Sequence, residues 1–228
     1  MDTTGISKQF TDCHPQRKEG FIMYHTIASA LTAQLQKHDP RLGSADMREI
    51  CTYGIEISLS TLLNYVLLLI LGILFRALPA ALIFAVVFTV TRLYTGGYHC
   101  TSYLRCNLTF CCIFITVILL GRFLLPYFDF PLFLLLLAAD SLAVFCIRPV
   151  ENHNKPLTVQ TRSYCHKIAK WLCIADCLLA VIGYTFEPYY GITAALSLSA
   201  VVLLLPIGQF AEERRRNGHE EECGTASR

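Results

Sequence analysis

The apolar residues of this chain come in long blocks, and this feature constrains the possible folds more than any other. Six blocks consist mainly of Leu, Ile, Val, Phe and Ala: Tyr53–Phe75, Leu78–Thr91, Leu108–Leu125, Phe130–Ile147, Trp171–Tyr184 and Tyr190–Phe210. A helix needs about 20 such residues to cross the core of a bilayer. We therefore predict an all-α, polytopic membrane protein with six transmembrane helices, of which the second and fifth extend into their flanking residues.

The positions of lysine and arginine predict which way the chain crosses the membrane. Of the 19 Lys and Arg residues, 17 lie before the first predicted helix, after the second, after the fourth or in the tail. Only Arg76 and Arg122 lie in the alternate segments. Because cytoplasmic loops carry the excess of these residues, both termini are predicted to be cytoplasmic.

The polar ends of the chain flank this membrane region. Residues 1–43 are predicted to form a cytoplasmic segment, residues 44–210 the membrane domain and residues 211–228 a polar cytoplasmic tail. Apolar residues recur at helical spacing between Phe21 and Lys37. This pattern predicts an amphipathic helix, lying either in the membrane interface or against the cytoplasmic loops.

A histidine and a cysteine follow the second apolar block, behind two adjacent glycines. Arg92, Gly96, Gly97, His99 and Cys106 come in this order on the predicted cytoplasmic side. A thiol is a strong nucleophile only as the thiolate, which a nearby histidine favours. On a straight helix the seven-residue spacing would separate the pair by about 10.5 Å. We therefore predict that the second helix ends near Thr95, that the glycines form a bend, and that Cys106 begins the third helix.

A structural interpretation of the same residues stays open. The glycines can form an ordinary turn, His99 can be an interfacial histidine, and Cys106 is one of 11 cysteines. His166 beside Cys165 is a competing pair, but it lacks a glycine bend.

Carboxylates within the apolar blocks provide an alternative function. Glu56, Asp140 and Asp176 would be costly in a bilayer, so they are candidates for a functional role. They could serve a small transporter or channel, and Glu56 could instead pair with Arg92, orient His99 or bind substrate. A non-catalytic membrane sensor is a further alternative.

Metal and nucleic-acid binding are not indicated. The sequence shows no tetrahedral set of metal ligands, no phosphate-binding glycine loop and no basic aromatic surface for nucleic acid. No cofactor is predicted.

Three groups of residues together resemble a known family. They are Tyr53-Gly54-Ile55-Glu56, the run from Arg92 to Cys106, and Pro149-Val150-Glu151-Asn152 followed by Asn154-Lys155-Pro156. These motifs are similar to those of the accessory gene regulator B (AgrB) family, membrane cysteine peptidases of bacterial quorum sensing. The resemblance implies His99 as the base and Cys106 as the nucleophile, in a site shaped by Arg92, Gly96 and Gly97.

The resemblance also implies a reaction and partners. A thiol protease in the bacterial cell membrane would cut a short AgrD-like precursor peptide and hold its N-terminal part as a thioester on Cys106. An internal cysteine or serine would then close a thiolactone or lactone ring. Asn152 or Asn154 could stabilise the oxyanion, and Arg92, Arg105 and Lys155 could bind the acidic tail of the precursor. A homodimer in contact with membrane lipids is expected.

Overall fold

The fold is built from helices throughout the part of the chain that the structure describes. A computed structural model describes residues 20–37, 44–96, 103–147 and 159–226. Within these ranges there are seven helices: α1 (Gly20–Gln36), α2 (Ala45–Leu74), α3 (Leu78–Thr95), α4 (Tyr103–Leu124), α5 (Phe130–Cys146), α6 (Val159–Phe186) and α7 (Pro188–Ala226). The prediction of an all-helical chain is confirmed for these residues.

Five of these helices, α2, α3, α4, α6 and α7, are long and apolar enough to cross a membrane. The fourth predicted span forms α5, which has only 17 residues and is a shorter apolar helix. At 1.5 Å per residue it measures about 26 Å, slightly less than a bilayer core of about 30 Å. The sixth span is therefore not confirmed, and the cytoplasmic location of both termini stays a prediction.

Local signals explain where the helices begin. The Ser44 hydroxyl accepts a hydrogen bond of 3.4 Å from the Met47 amide at the start of α2. Asp129 caps α5 in the same manner, by accepting from the Leu132 amide at 3.1 Å. Pro79 and Pro188 lie in the first turns of α3 and α7, where the missing amide hydrogen does no harm.

Helix α7 extends beyond the predicted last span. It runs through Pro206 and continues to Ala226, well into the polar residues that follow Phe210. The boundary predicted at residue 211 therefore marks a change from apolar to polar residues within one helix, and not the end of that helix.

The described residues belong to two compact units. Among the described residues, 20–37, 44–64 and 103–107 form unit 1, and 65–96, 108–147 and 159–226 form unit 2. Helices α1, the first two thirds of α2 and the first turn of α4 thus form unit 1.

Unit 2 has an aromatic core. The ring of Phe84 stacks on Phe88 with centroids 4.8 Å apart and tilts against Phe114 at 5.3 Å. Helices α6 and α7 approach closely at Gly191, where an added Cβ would lie 2.5 Å from the Tyr184 side chain. Large apolar side chains such as Leu135 and Leu203 remain on the outside, as a lipid-facing surface requires.

Candidate active site

The end of α3 carries the first residues of the predicted motif. Its middle section, Ala85–Val90, is π-helical, a local widening that is frequent at functional sites. Arg92 lies two residues after this section and is half-buried, with its guanidinium 5.4 Å from the centroid of the Phe88 ring. The helix ends at Thr95, as the sequence predicted.

Gly96 terminates α3 in a conformation that other residues rarely adopt. Its φ is 72° and its ψ is −152°, and its amide donates to the Arg92 carbonyl at 2.9 Å. A side chain would be strained at this φ, so glycine is required for the chain to leave the helix here. The bend predicted at the glycine pair is thus present at its first residue.

Cys106 lies in the first turn of α4, which begins at Tyr103. Its side chain is half-buried. The positive end of a helix favours an anion, and therefore a thiolate, at such a position. Gly97 and His99 lie outside the described residues, so the proximity of His99 to Cys106 stays a prediction.

Glu56 of α2 is the centre of a polar network in unit 1. Its side chain is only 2% exposed, and its Oε1 lies 2.7 Å from His25 Nδ1. The Tyr103 hydroxyl donates to Glu56 Oε2 at 3.2 Å. A buried carboxylate is stable only with such partners. Helix α2 is thereby linked to α1 and to the first turn of α4.

Asn107 extends this network on the other side of Cys106. Its Oδ1 accepts from the Ser60 hydroxyl at 3.0 Å, and its Nδ2 donates to the Tyr24 hydroxyl at 3.3 Å. The Tyr24 ring also packs on the Tyr103 ring, with centroids 5.4 Å apart. The turn that carries Cys106 is therefore held by contacts at the residue three positions before it and at the residue directly after it.

The sequence pattern singles out Glu56 but not its partners. Tyr24 belongs to the amphipathic pattern of α1, and nothing in the hydrophobic pattern singles out His25, Tyr103 or Asn107. One signal was available, because Glu56 and Ser60, like Tyr103 and Asn107, are four residues apart and so share a helix face. Two polar pairs of this kind at the ends of apolar helices indicate that the helices pack together there.

The remaining predicted site residues are not brought into this network by the described contacts. Asn152, Asn154 and Lys155 lie outside the described residues. The proposed pairing of Glu56 with Arg92 stays a prediction, since these residues belong to different units.

Asp140 and Asp176, the two carboxylates within the apolar blocks of unit 2, each have a partner on a neighbouring helix. Ser199 donates to Asp140 at 2.6 Å, and Thr91 donates to Asp176. Ser141, next to Asp140, lies 3.2 Å from the sulfur of Cys177, next to Asp176. These contacts join α5 to α6 and α7, and α6 to α3. Holding these helices together is enough to explain why Asp140 and Asp176 are present.

Comparison with known proteins gives a consistent result. The family model described as Accessory gene regulator B matches residues 26–206. An AgrB-like protein of Clostridium beijerinckii is 23% identical over 135 residues, 59% of this chain and 67% of its own length. A second, from Clostridium perfringens strain 13, is 28% identical over 141 residues, 60% of this chain and 63% of its own.

A third relative extends the same pattern. The AgrB-like protein of Clostridium perfringens strain SM101 is 29% identical over 122 residues, 51% of this chain and 57% of its own length. The matches thus span between about half and two thirds of these relatives. No solved structure matches the chain significantly.

Proposed function

Because the chain belongs to the accessory gene regulator B family, we propose that it is a membrane-embedded cysteine endopeptidase acting on an AgrD-like precursor. Membership of this family implies a part in quorum-sensing peptide processing. The sequence motif supplies the catalytic pair, His99 as base and Cys106 as nucleophile. The active site is proposed to face the cytoplasm, with Arg92, Gly96 and Gly97 shaping it.

The observation that carries the proposal is the fixed position of the Cys106 turn. Tyr103 and Asn107 attach this turn to α1 and α2 through Glu56, Ser60 and Tyr24. A nucleophile must be held close to its attack geometry to be effective, and a side chain on a tethered first helical turn meets that requirement. A half-buried thiol also meets a substrate while most of the surrounding water is excluded.

The proposed reaction has two acyl transfers. The Cys106 thiolate attacks the scissile carbonyl, and His99 protonates the departing amine of the C-terminal fragment. The N-terminal part of the precursor remains as a thioester on Cys106. An internal cysteine or serine of the peptide then attacks the thioester carbonyl, which releases Cys106 and closes a thiolactone or lactone ring.

The surrounding groups have proposed supporting roles. Asn152 or Asn154 donates to the oxyanion of each tetrahedral intermediate. Arg92, Arg105 and Lys155 bind the acidic tail of the precursor. Helix α1 offers the exposed residues Ile27, Leu31 and Leu35 to the membrane interface, where the amphipathic part of the precursor would also lie. The working form is proposed to be a homodimer.

The experiment combines processing with capture of the intermediate. The chain is produced together with an AgrD-like precursor peptide, and the fragments are identified by mass spectrometry. Wild type should release the C-terminal fragment and carry a peptide on Cys106 that hydroxylamine removes. Cys106→Ala should give neither product.

A matched variant controls for loss of a thiol as such. Cys111 is also half-buried and lies on the same helix, but deeper in the apolar segment. Cys111→Ala should therefore process the peptide normally. Continued cleavage by Cys106→Ala, or equal loss in both variants, would contradict the proposal.

A further inference from the structure

A polar pocket lies within unit 2 where three inter-helix connections meet. Its volume is about 390 Å³, and its lining includes Arg76, Arg122, Glu187, Tyr189 and Tyr190. Arg76 lies between α2 and α3, Arg122 in the last turn of α4, and Glu187 between α6 and α7. Arg122 is thus far along the helix whose first turn carries Cys106.

The two arginines are brought together by the fold. The Arg122 guanidinium donates from Nη2 to the Phe75 carbonyl at 2.6 Å, which anchors it on the turn that contains Arg76. Within the described parts of the chain, neither arginine forms an ion pair. Two guanidinium groups at one pocket favour an anion with several acceptor oxygens, and a phosphate group, which has more of them than a carboxylate, can bind both groups at once.

The backbone at the end of α2 fixes the position of Arg76. Its φ of 50° belongs to a left-handed helix cap, in which the Ala77 amide donates to the Gly72 carbonyl at 2.8 Å and the Arg76 amide donates to the Ile73 carbonyl at 3.0 Å. One further feature of the pocket fits a ligand. The Tyr189 hydroxyl is buried and has no hydrogen-bond partner among the described residues. Because buried hydroxyls are nearly always bonded, a ligand oxygen at this position would complete its requirement.

The position of the pocket indicates a lipid as the source of the phosphate. The candidate spans end at Leu74 and Leu124 and begin again at Leu78 and Pro188, so the charged residues lie at span ends. Lipid head groups lie at this depth. Beside the arginines, Leu74 and Phe123 are 72% and 66% exposed, as expected of side chains that contact acyl chains.

We propose that this pocket binds the head group of one phosphatidylethanolamine molecule. Arg76 and Arg122 bind its phosphate, and Glu187 binds its ammonium group. A free phosphate would leave Glu187 as an unfavourable like charge beside the anion. A phosphate joined to a primary amine pairs with both kinds of charge in the pocket, since its phosphate faces the arginines and its ammonium group faces Glu187.

The test measures lipid binding to the purified full-length chain in detergent. After delipidation, the chain is titrated with phosphatidylethanolamine, phosphatidylglycerol or phosphatidylcholine of identical acyl chains, and bound lipid is counted by native mass spectrometry. One molecule of phosphatidylethanolamine per chain should bind more tightly than the other two. Arg76→Gln should weaken its binding about tenfold, because a charge-assisted contact is lost. Arg76→Lys should restore part of it.

Arg76 is a better position for the test than Arg122, because its substitution should change lipid binding without affecting folding. Arg122→Gln also removes the bond to the Phe75 carbonyl and can affect folding, whereas Arg76 is exposed and its side chain makes no bond within the described residues. Glu187→Gln should remove the preference for phosphatidylethanolamine over phosphatidylglycerol. Arg48→Gln, at an exposed arginine beside the start of the first span, is the control and should change nothing.

Three results would overturn the proposal. The first is unchanged phosphatidylethanolamine binding by Arg76→Gln. The second is an unchanged lipid preference in Glu187→Gln. The third is binding of inorganic phosphate or soluble phosphoethanolamine as tightly as the lipid, which would identify a site for a free anion.

Discussion

Glu56 and Tyr103 are joined by a hydrogen bond of 3.2 Å across 47 residues of sequence. Tyr103 precedes Cys106 by three residues, and Glu56 also contacts His25 of α1 at 2.7 Å. One buried carboxylate therefore links three helices at the turn that carries the proposed nucleophile. Substitutions that remove one hydrogen bond of this network at a time can measure how much each bond contributes to peptide processing.

Tyr103→Phe should remove the bond to Glu56 while the ring keeps its packing on Tyr24. We expect a stability loss of about 1.5–3 kcal/mol, the value of a hydrogen bond to a charged group, and a severalfold lower processing rate. Thermal unfolding in detergent and fragment analysis by mass spectrometry measure the two effects. Tyr127→Phe, at an exposed tyrosine, is the matched control and should behave as wild type.

Glu56→Gln keeps the shape of the side chain but removes its charge. Its contact with His25 then loses charge assistance, and stability should fall by about 1–3 kcal/mol. Processing should fall more than in Tyr103→Phe, because both partners of Glu56 are affected. Glu213→Gln, at an exposed glutamate, controls for the loss of one negative charge. Wild-type processing by Glu56→Gln would show that the network does not support the site.

Ser60 and Asn107 offer a direct measurement of coupling between α2 and α4. Ser60→Ala, Asn107→Leu and the double variant form a cycle around the 3.0 Å bond that joins them. Their combined stability loss should be smaller than the sum by about 0.5–3 kcal/mol, as for residues in contact. Additive losses would argue against the bond in the membrane-embedded protein. Unfolding midpoints of the four proteins provide the data.

Gly96→Ala should impair the chain at the end of α3. At a φ of 72° an alanine is strained, and the expected loss is about 1–3 kcal/mol. Gly54→Ala is the matched control, since Gly54 lies within α2 and a Cβ there would meet nothing within 4 Å. That control should be neutral or stabilise by up to about 1 kcal/mol. Equal behaviour of the two variants would refute the special role of Gly96.

Asp140→Asn tests the transporter alternative against the peptidase proposal. Asparagine can still accept the hydrogen bond from Ser199, so packing of α5 on α7 should be retained. We expect processing within about twofold of wild type, because the isosteric asparagine keeps this hydrogen bond and Asp140 is not part of the network around Cys106. Loss of processing with intact folding would instead give this carboxylate a functional role. The fragment assay used for Cys106→Ala measures this variant as well.

Local signals account for the starts of several helices. Ser44, Pro79 and Pro188 act through their own backbone or their nearest neighbours, and α2, α3 and α7 begin at or beside these residues. The bend at Gly96 was predictable for the same reason. Whether the fourth apolar block crosses the membrane is harder to predict, because α5 has 17 residues, the lower limit for a transmembrane helix.

The sequence by itself determined the helical membrane character, the end of α3 at Thr95 and the motif that contains His99 and Cys106. These depend on runs of neighbouring residues, whose apolar character and backbone preferences act over short distances. Only the tertiary structure decided that Glu56 is bound by His25 and Tyr103, and that Arg122 reaches the turn of Arg76. A buried polar group takes its partner from whichever helix packs beside it, and hydrophobic periodicity does not specify which helix that is.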